Sequence, residues 1–233
     1  MNKEEFINSL KELNINITQK DLEKLNLYYN ILVEENKKYN LTSITEEPLV
    51  YLKHFYDSLT ITKIIELNNQ TLCDIGTGAG FPGVVLQIMY PNLKVTLIES
   101  NNKKCNFLNI LKKKLDLPNL TIINLRAEDY SKNNREIFDI VTSRAVAPLK
   151  HLLEYSIPLV KVNGYYIAMK SNIDNEITNI DNYYKKLDIT KINEIKFKLP
   201  IENSNRTLII YKKNNKTNNI YPRKYTEIKK KDI

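Results

Sequence analysis

From Thr71 onward the chain alternates short apolar runs with amphipathic ones, a rhythm that few folds can accommodate. TLCDIG (71–76), KVTLIES (94–100), NLTIINL (119–125), FDIVTSR (138–144) and GYYIAMK (164–170) read as strands. Between them PGVVLQIMY (82–90), KKCNFLNILKKKL (103–115) and most of PLKHLLEYSIPLV (148–160) read as helices, with Pro82 in a first turn where its missing N–H costs nothing. Strands separated by helices build a mainly parallel sheet covered on both faces. A polar helical segment is expected at about 174–187, then two more strands, INEIKFKL (192–199) and TLIIYKK (207–213). Only PIENSNR joins that last pair, too short a link for a crossover helix, so the two strands must run antiparallel. The expected fold is α/β, a seven-stranded sheet with its last strand reversed.

The first 68 residues lack this alternation. Phe6, Leu10 and Leu13 recur at helical spacing, as do Leu22, Leu25, Tyr29 and Leu32. Thr18 is a candidate N-cap, with Asp21 completing an acidic variant of the capping box. Leu49, Leu52, Phe55, Leu59 and Ile64 line one face of a helix expected over 46–67. The chain therefore divides into a helical cap (1–68), a sheet domain (69–213) and a tail (214–233).

The glycines of CDIGTGAGFPG (73–83) say where a ligand would sit. Gly78, Gly80 and Gly83 spell the dinucleotide fingerprint G-x-G-x-x-G. Gly76, Gly78 and Gly80 equally spell the G-x-G-x-G of S-adenosylmethionine (SAM) methyltransferases. Asp74 leans towards SAM, because a carboxylate there opposes a pyrophosphate and suits a sulfonium and an ammonium. The reversed last strand points the same way, since it separates the Rossmann-like class I methyltransferase sheet from that of dehydrogenases. Glu99 ends the second strand, where a carboxylate accepts from both ribose hydroxyls in either class of site. Glu128, in RAEDY, falls where an adenine edge would lie, or is a solvated loop carboxylate. Arg144 and Lys170 end later strands; Arg144 suits a cofactor carboxylate, a substrate phosphate or a structural ion pair.

Neither histidine reads as a base: His54 in KHFYDS and His151 on its helix are expected to pack or cap. No D/N-P-P-Y/F follows the fourth strand, which argues against exocyclic amine methylation, and no Pro-Cys supplies a nucleophile for pyrimidine carbon-5. An acceptor with a free lone pair and no proton to lose, such as guanine N7, needs none of these. No catalytic residue is assigned. A nicotinamide-dependent oxidoreductase or a non-catalytic RNA-binding protein remains a rival reading.

Composition narrows the partners. A net charge of +8 and a pI near 9.2 permit a polyanion, although the general richness in Asn, Lys, Ile and Tyr accounts for part of it. From Lys212 on, eight cations stand against two carboxylates, with Tyr221 and Tyr225 interleaved. That tail reads either as a solvated basic segment or as a surface that stacks and pairs with a nucleic-acid strand. Cys73 and Cys105 lack a second Cys/His pair, so buried thiols are expected and no metal. No apolar run approaches the roughly 20 residues of a membrane span, and the N-terminus has no signal-peptide core. A cytoplasmic monomer is the expectation.

Several stretches together resemble the ribosomal RNA small subunit methyltransferase G family, also called the glucose-inhibited division protein B family. They are YNLTSIT (39–45), KHFYDSL (53–59), DIGTGAGFPG (74–83), RAEDY (126–130), FDIVTSRAVAPL (138–149), PLVKVNGYYIAMK (158–170) and FKLPIENSNR (197–206). The resemblance implies SAM-dependent methylation of guanine N7 in 16S rRNA, at the guanine conventionally numbered 527 in the 530 loop of the small ribosomal subunit. It places family cofactor contacts at Gly76, Phe81, Ala127, Glu128 and Arg144, to which the residues themselves add Asp74, Gly78 and Glu99. Phe81 is expected to wall the cofactor pocket. The tail departs from the family pattern K-Y-P-R-K-P-G-x-P: IYPRKYTEIKK keeps Tyr-Pro-Arg-Lys and loses the Pro-Gly-x-Pro.

Overall fold

The computed structural model describes residues 1–144, 147–171, 173, 176 and 180–233. Seven strands form one sheet: β1 (Thr71–Ile75), β2 (Lys94–Ile98), β3 (Leu120–Ile123), β4 (Phe138–Arg144), β5 (Val160–Lys170), β6 (Ile189–Lys198) and β7 (Asn205–Lys213). Their order is β3-β2-β1-β4-β5-β7-β6, and β7 alone runs against its neighbours. The order reverses direction between β1 and β4, so the carboxyl ends of these two strands open a crevice at the switch point. The reversed hairpin follows from its short link, whose turn closes with Leu199 N–H donating to the Ser204 carbonyl.

Helices α1 (Lys3–Glu12) and α2 (Gln19–Tyr39) both start with capping boxes, Asn2 with Glu5 and Thr18 with Asp21. The helix expected over 46–67 is instead a composite. It begins as α3 (Glu47–Val50), widens into a π-helical stretch (Tyr51–Tyr56), and returns to α in α4 (Asp57–Leu59). A 3₁₀ turn (Thr60–Lys63) ends it. Such widened turns are often found at functional sites; here it carries KHFY, with Asp57 directly after it.

On the sheet, α5 (Gly83–Met89) and α6 (Asn102–Lys114) cover one face together with the N-terminal helices. Phe6, Leu25, Phe55, Leu86, Leu97 and Leu108 belong to one apolar cluster, so the cap shares its core with the sheet. The other face carries α7 (Ala127–Tyr130), α8 (Leu149–Ser156), α9 (Asp181–Leu187) and α10 (Tyr225–Lys230), with Leu152, Tyr166, Tyr183 and Ile228 in a second cluster. Burying apolar area on both faces, at roughly 25 cal/mol per Å², is the main force holding these layers together.

Three local expectations shift. The helix expected over 148–160 stops at Ser156 and turns 3₁₀ over Ile157–Leu159, where Pro158 lacks the N–H an α-helix needs; β5 then starts at Val160. The polar helix expected at 174–187 is seen as α9, while 174, 175 and 177–179 fall outside the described residues. The sequence reading contains neither α7 nor α10; each is too short to show periodicity.

Candidate active site

β1 delivers the glycine turn to the crevice. Gly76, Gly78 and Gly80 all have positive φ, which for an L side chain costs about 1–2 kcal/mol. Asp74 is completely buried beneath the turn, not on its open side. Its Oδ2 accepts from Thr77 Oγ1 at 2.6 Å and from Gly83 N–H at 2.9 Å, tying the two ends of the turn together. A Cβ at Gly83 would run into Leu97 and reach within 3.0 Å of that same oxygen. Oδ1 has no partner, and burial pushes the Asp74 carboxyl up to about 7.

A cavity of about 690 Å³ opens beyond the turn, within the range of nucleotide-sized ligand sites. Gly76, Glu99, Ala127, Glu128 and Arg144 all line it; Asp74, Gly78 and Phe81 do not. Gly78 is nevertheless bonded to the wall, since its N–H donates to Glu99 Oε2 at 3.0 Å while Asn101 N–H donates to Oε1 at 2.8 Å. The Glu99 carboxylate is thus clamped by two backbone groups, which leave each oxygen a further lone pair. Glu128 is 5% exposed and its Oε1 has no hydrogen-bond partner; burial raises its pKa. The Arg126 guanidinium lies 4.0 Å from that oxygen, beyond hydrogen-bond distance, and the acceptor fits a ligand that brings an N–H donor. A carboxylate for hydroxyls and an acceptor for an amine, at the two sides of one cavity, match the donor set of an adenosine moiety.

Phe81 lies on the far side of the turn. Its ring is stacked between His54 (centroids 4.3 Å apart) and Tyr28 (5.3 Å), and the Arg144 guanidinium sits 5.4 Å over it. The Tyr28 hydroxyl donates to the Ala79 carbonyl, so the cap helix α2 grips the turn directly. Phe81 therefore buttresses the turn from behind.

Arg144 is the hinge of the site. Its Nη1 donates to the Lys53 carbonyl at 2.8 Å and to Asp57 Oδ2 at 3.1 Å, and its Nη2 lies 3.4 Å from His54 Nδ1. On its other side Asp57 accepts from Arg206 Nε at 2.9 Å. The π-helical stretch puts Lys53, His54 and Asp57 within reach of one guanidinium. Burial first, then the nearby Arg144 charge, pushes His54 down to about 3. A guanidinium can only donate, so the contact with Arg144 calls for the neutral tautomer in which Nδ1 accepts, leaving Nε2–H to donate to Thr42 Oγ1, 3.0 Å away. These groups border a second cavity of about 240 Å³, between the cap and the ends of β5 and β7, where Lys170 and Met169 also face. Arg144 lines both cavities. Lys170 Nζ is engaged by the Ala147 carbonyl and by Glu176, each at 2.8 Å. Ala145 and Val146, the rest of SRAVA, lie outside the described residues.

The tail is docked along the sheet domain. Lys213 is wholly buried, donating to Glu136, Ile157 and Val160 oxygens, and burial lowers its pKa to about 8. Arg223 forms a fork with Glu154, Nε to Oε1 at 2.9 Å and Nη2 to Oε2 at 2.8 Å. Arg135 holds the Tyr221 and Thr217 carbonyls. Two of the cations counted in the tail thus point into the protein. Asp57, Arg206 and the tail's part in the site are missing from the sequence reading; KHFYDSL and FKLPIENSNR carry the first two, but no local spacing says that they meet.

The family model described as rRNA small subunit methyltransferase G matches residues 21–209. The chain belongs to that family. The Ribosomal RNA small subunit methyltransferase G of Mycoplasma capricolum is 50% identical over 218 residues, 93% of this chain and 94% of the relative. That of Bacillus subtilis is 46% identical over 231 residues, covering 96% and 95%. Among solved structures, a SAM dependent methyltransferase from Aquifex aeolicus superposes with a TM-score of 0.53 at 14% identity, over 72% of this chain and 94% of that one. That likeness speaks to the fold: this methyltransferase has the reversed-strand sheet expected from PIENSNR.

Proposed function

We propose that this methyltransferase moves the methyl group of SAM onto N7 of a guanine in the 16S RNA of the small ribosomal subunit, the guanine conventionally numbered 527. The observation that carries the reading is the shared wall at Arg144, with a carboxylate-lined, nucleoside-sized cavity on one side and a cationic, base-sized cavity on the other. Glu99 would accept from the ribose hydroxyls and Glu128 from the adenine amine, with Gly76 and Ala127 as close walls. Asp74, Gly78 and Phe81 would act one step back: Asp74 and Phe81 hold the turn, and Gly78 orients Glu99.

SAM supplies an already activated methyl group on a sulfonium. The chain's remaining task is alignment of donor and acceptor, which can be worth several kcal/mol of barrier. N7 has a lone pair and no proton to lose, so no general base is needed. His54, neutral and engaged on both nitrogens, does not serve as one. Transfer moves positive charge from the sulfonium onto the base, where nearby oxygens would stabilise it. The small subunit or its RNA would be met by a monomer in the cytoplasm; sedimentation of the free protein checks the monomer.

The test is transfer of labelled methyl from SAM to small subunits lacking the modification, followed by nucleoside analysis. Labelled 7-methylguanosine in the small-subunit RNA is the expected product. Another labelled nucleoside, or none while SAM still binds, would refute the acceptor. Glu99→Ala should weaken SAM binding by on the order of 1–3 kcal/mol, the usual worth of lost hydrogen bonds to a charged group; unchanged affinity removes Glu99 from the site.

A further inference from the structure

The tail's last helix reaches the cofactor cavity. Tyr225 and Lys229 of α10 line the same 690 Å³ space as Glu99 and Glu128, although Tyr225 follows Glu128 by nearly a hundred residues. Two cations lie over the Tyr225 ring, the Arg126 guanidinium 4.4 Å and the Lys229 ammonium 4.7 Å from its centroid. Arg126 immediately precedes Ala127 and Glu128 and its Nη1 lies 4.0 Å from Glu128 Oε1, so the ring stands at the end of the cavity where that oxygen is buried without a hydrogen bond. Four contacts fix α10 in this place: the Arg223–Glu154 fork, buried Ile228, Lys150 to Asp232 at 2.6 Å, and Tyr183 to Asp232 at 3.1 Å.

We propose that Tyr225 is a cofactor-binding residue: the C-terminal helix closes the adenine end of the SAM cavity, with Tyr225 packing on the base whose amine Glu128 accepts. The inference rests on reading that cavity as the SAM site. A buried acceptor with no hydrogen bond of its own supplies the edge contact and a neighbouring aromatic ring the packing contact, the pair of interactions by which proteins commonly hold a purine. Docking of the tail and binding of the cofactor then reinforce each other, because a cavity missing this wall leaves the base half in water.

Calorimetric titration of the full-length protein with SAM and with 5′-methylthioadenosine tests this. Methylthioadenosine keeps the adenosine and lacks the amino-acid end. Tyr225→Ala should weaken both ligands by about five- to tenfold, the range of one aromatic contact to a base, while Tyr225→Phe retains affinity and the affinity for small-subunit RNA stays unchanged. Thermal melts without ligand check that Tyr225→Ala still folds; Lys229→Ala, which removes one of the two cations over the ring and a second residue of the cavity lining, serves as a second variant with a smaller loss of both ligands. Unchanged SAM and methylthioadenosine affinity in Tyr225→Ala, with weaker RNA binding, would overturn the proposal and assign the ring to the RNA. A loss for SAM but not for methylthioadenosine would also overturn it, since the ring would then serve the amino-acid end. Failure of the unaltered protein to bind SAM would strike the cavity reading itself and the inference with it.

Discussion

Asp57 joins three segments far apart in the chain, and its removal should be among the more costly single changes in this protein. Its two oxygens accept from Arg206 Nε at 2.9 Å and from Arg144 Nη1 at 3.1 Å, and the three side chains are only 7%, 18% and 14% exposed. Deleting one partner of a buried ion pair costs about 3–5 kcal/mol, mostly because the surviving charge stays desolvated. Here Asp57→Ala strands two guanidiniums facing each other, but each retains some water, which argues for the lower end, about 3 kcal/mol. Arg206→Ala leaves Asp57 still paired with Arg144 and should cost less, about 1–2 kcal/mol. The double variant should lose less than the two single losses added, since removing Arg206 relieves the repulsion that Asp57→Ala creates. A coupling of at least ~1 kcal/mol is expected for groups in direct contact. Urea denaturation of the four proteins gives the cycle, provided the slopes agree. A loss below ~1 kcal/mol for Asp57→Ala, or additive losses, would show that the site's charges are solvated and that Asp57 is no hub.

Other consequences concern the turn and the histidine. Burial raises the Asp74 carboxyl to about 7 from an ordinary value near 4. A raised folded pKa means the folded chain binds the extra proton, so this group's stabilising effect is present at acid pH and is lost as pH rises through about 7. Urea midpoints of the unaltered protein should therefore fall relative to Asp74→Asn between about pH 5 and 7.5, and parallel profiles would contradict the burial argument. His54, pushed down to about 3, should show no imidazole titration by NMR between about pH 5 and 8; an inflection in that window would mean the ring is hydrated and available. Gly78→Ala should cost about 1–2 kcal/mol from its positive φ alone, because its Cβ meets only the Gly76 carbonyl oxygen at 4.0 Å. Gly83→Ala should cost more, through the clash with Leu97 and the Asp74 side chain, and thermal denaturation that ranks the two the other way would refute the close-approach argument.

The residues determine by themselves whatever depends on neighbours in sequence. The strand–helix alternation and the seven-residue PIENSNR link dictate the sheet and its reversed strand, because periodicity and chain reach are local properties. By the same logic Gly76, Glu99, Ala127, Glu128 and Arg144 come to one cavity, each at or just beyond the carboxyl end of a parallel strand. Direction is another matter. Asp74 sits on the same strand end but turns inward to brace Gly83, and Phe81 turns back to stack on His54. Only the tertiary structure decided those orientations, and only it joined Asp57 to Arg206 across 149 residues or laid Tyr225 over the cavity. Such contacts arise from packing the cap and the tail onto opposite faces of the sheet, and no spacing along the chain encodes which side chains then meet.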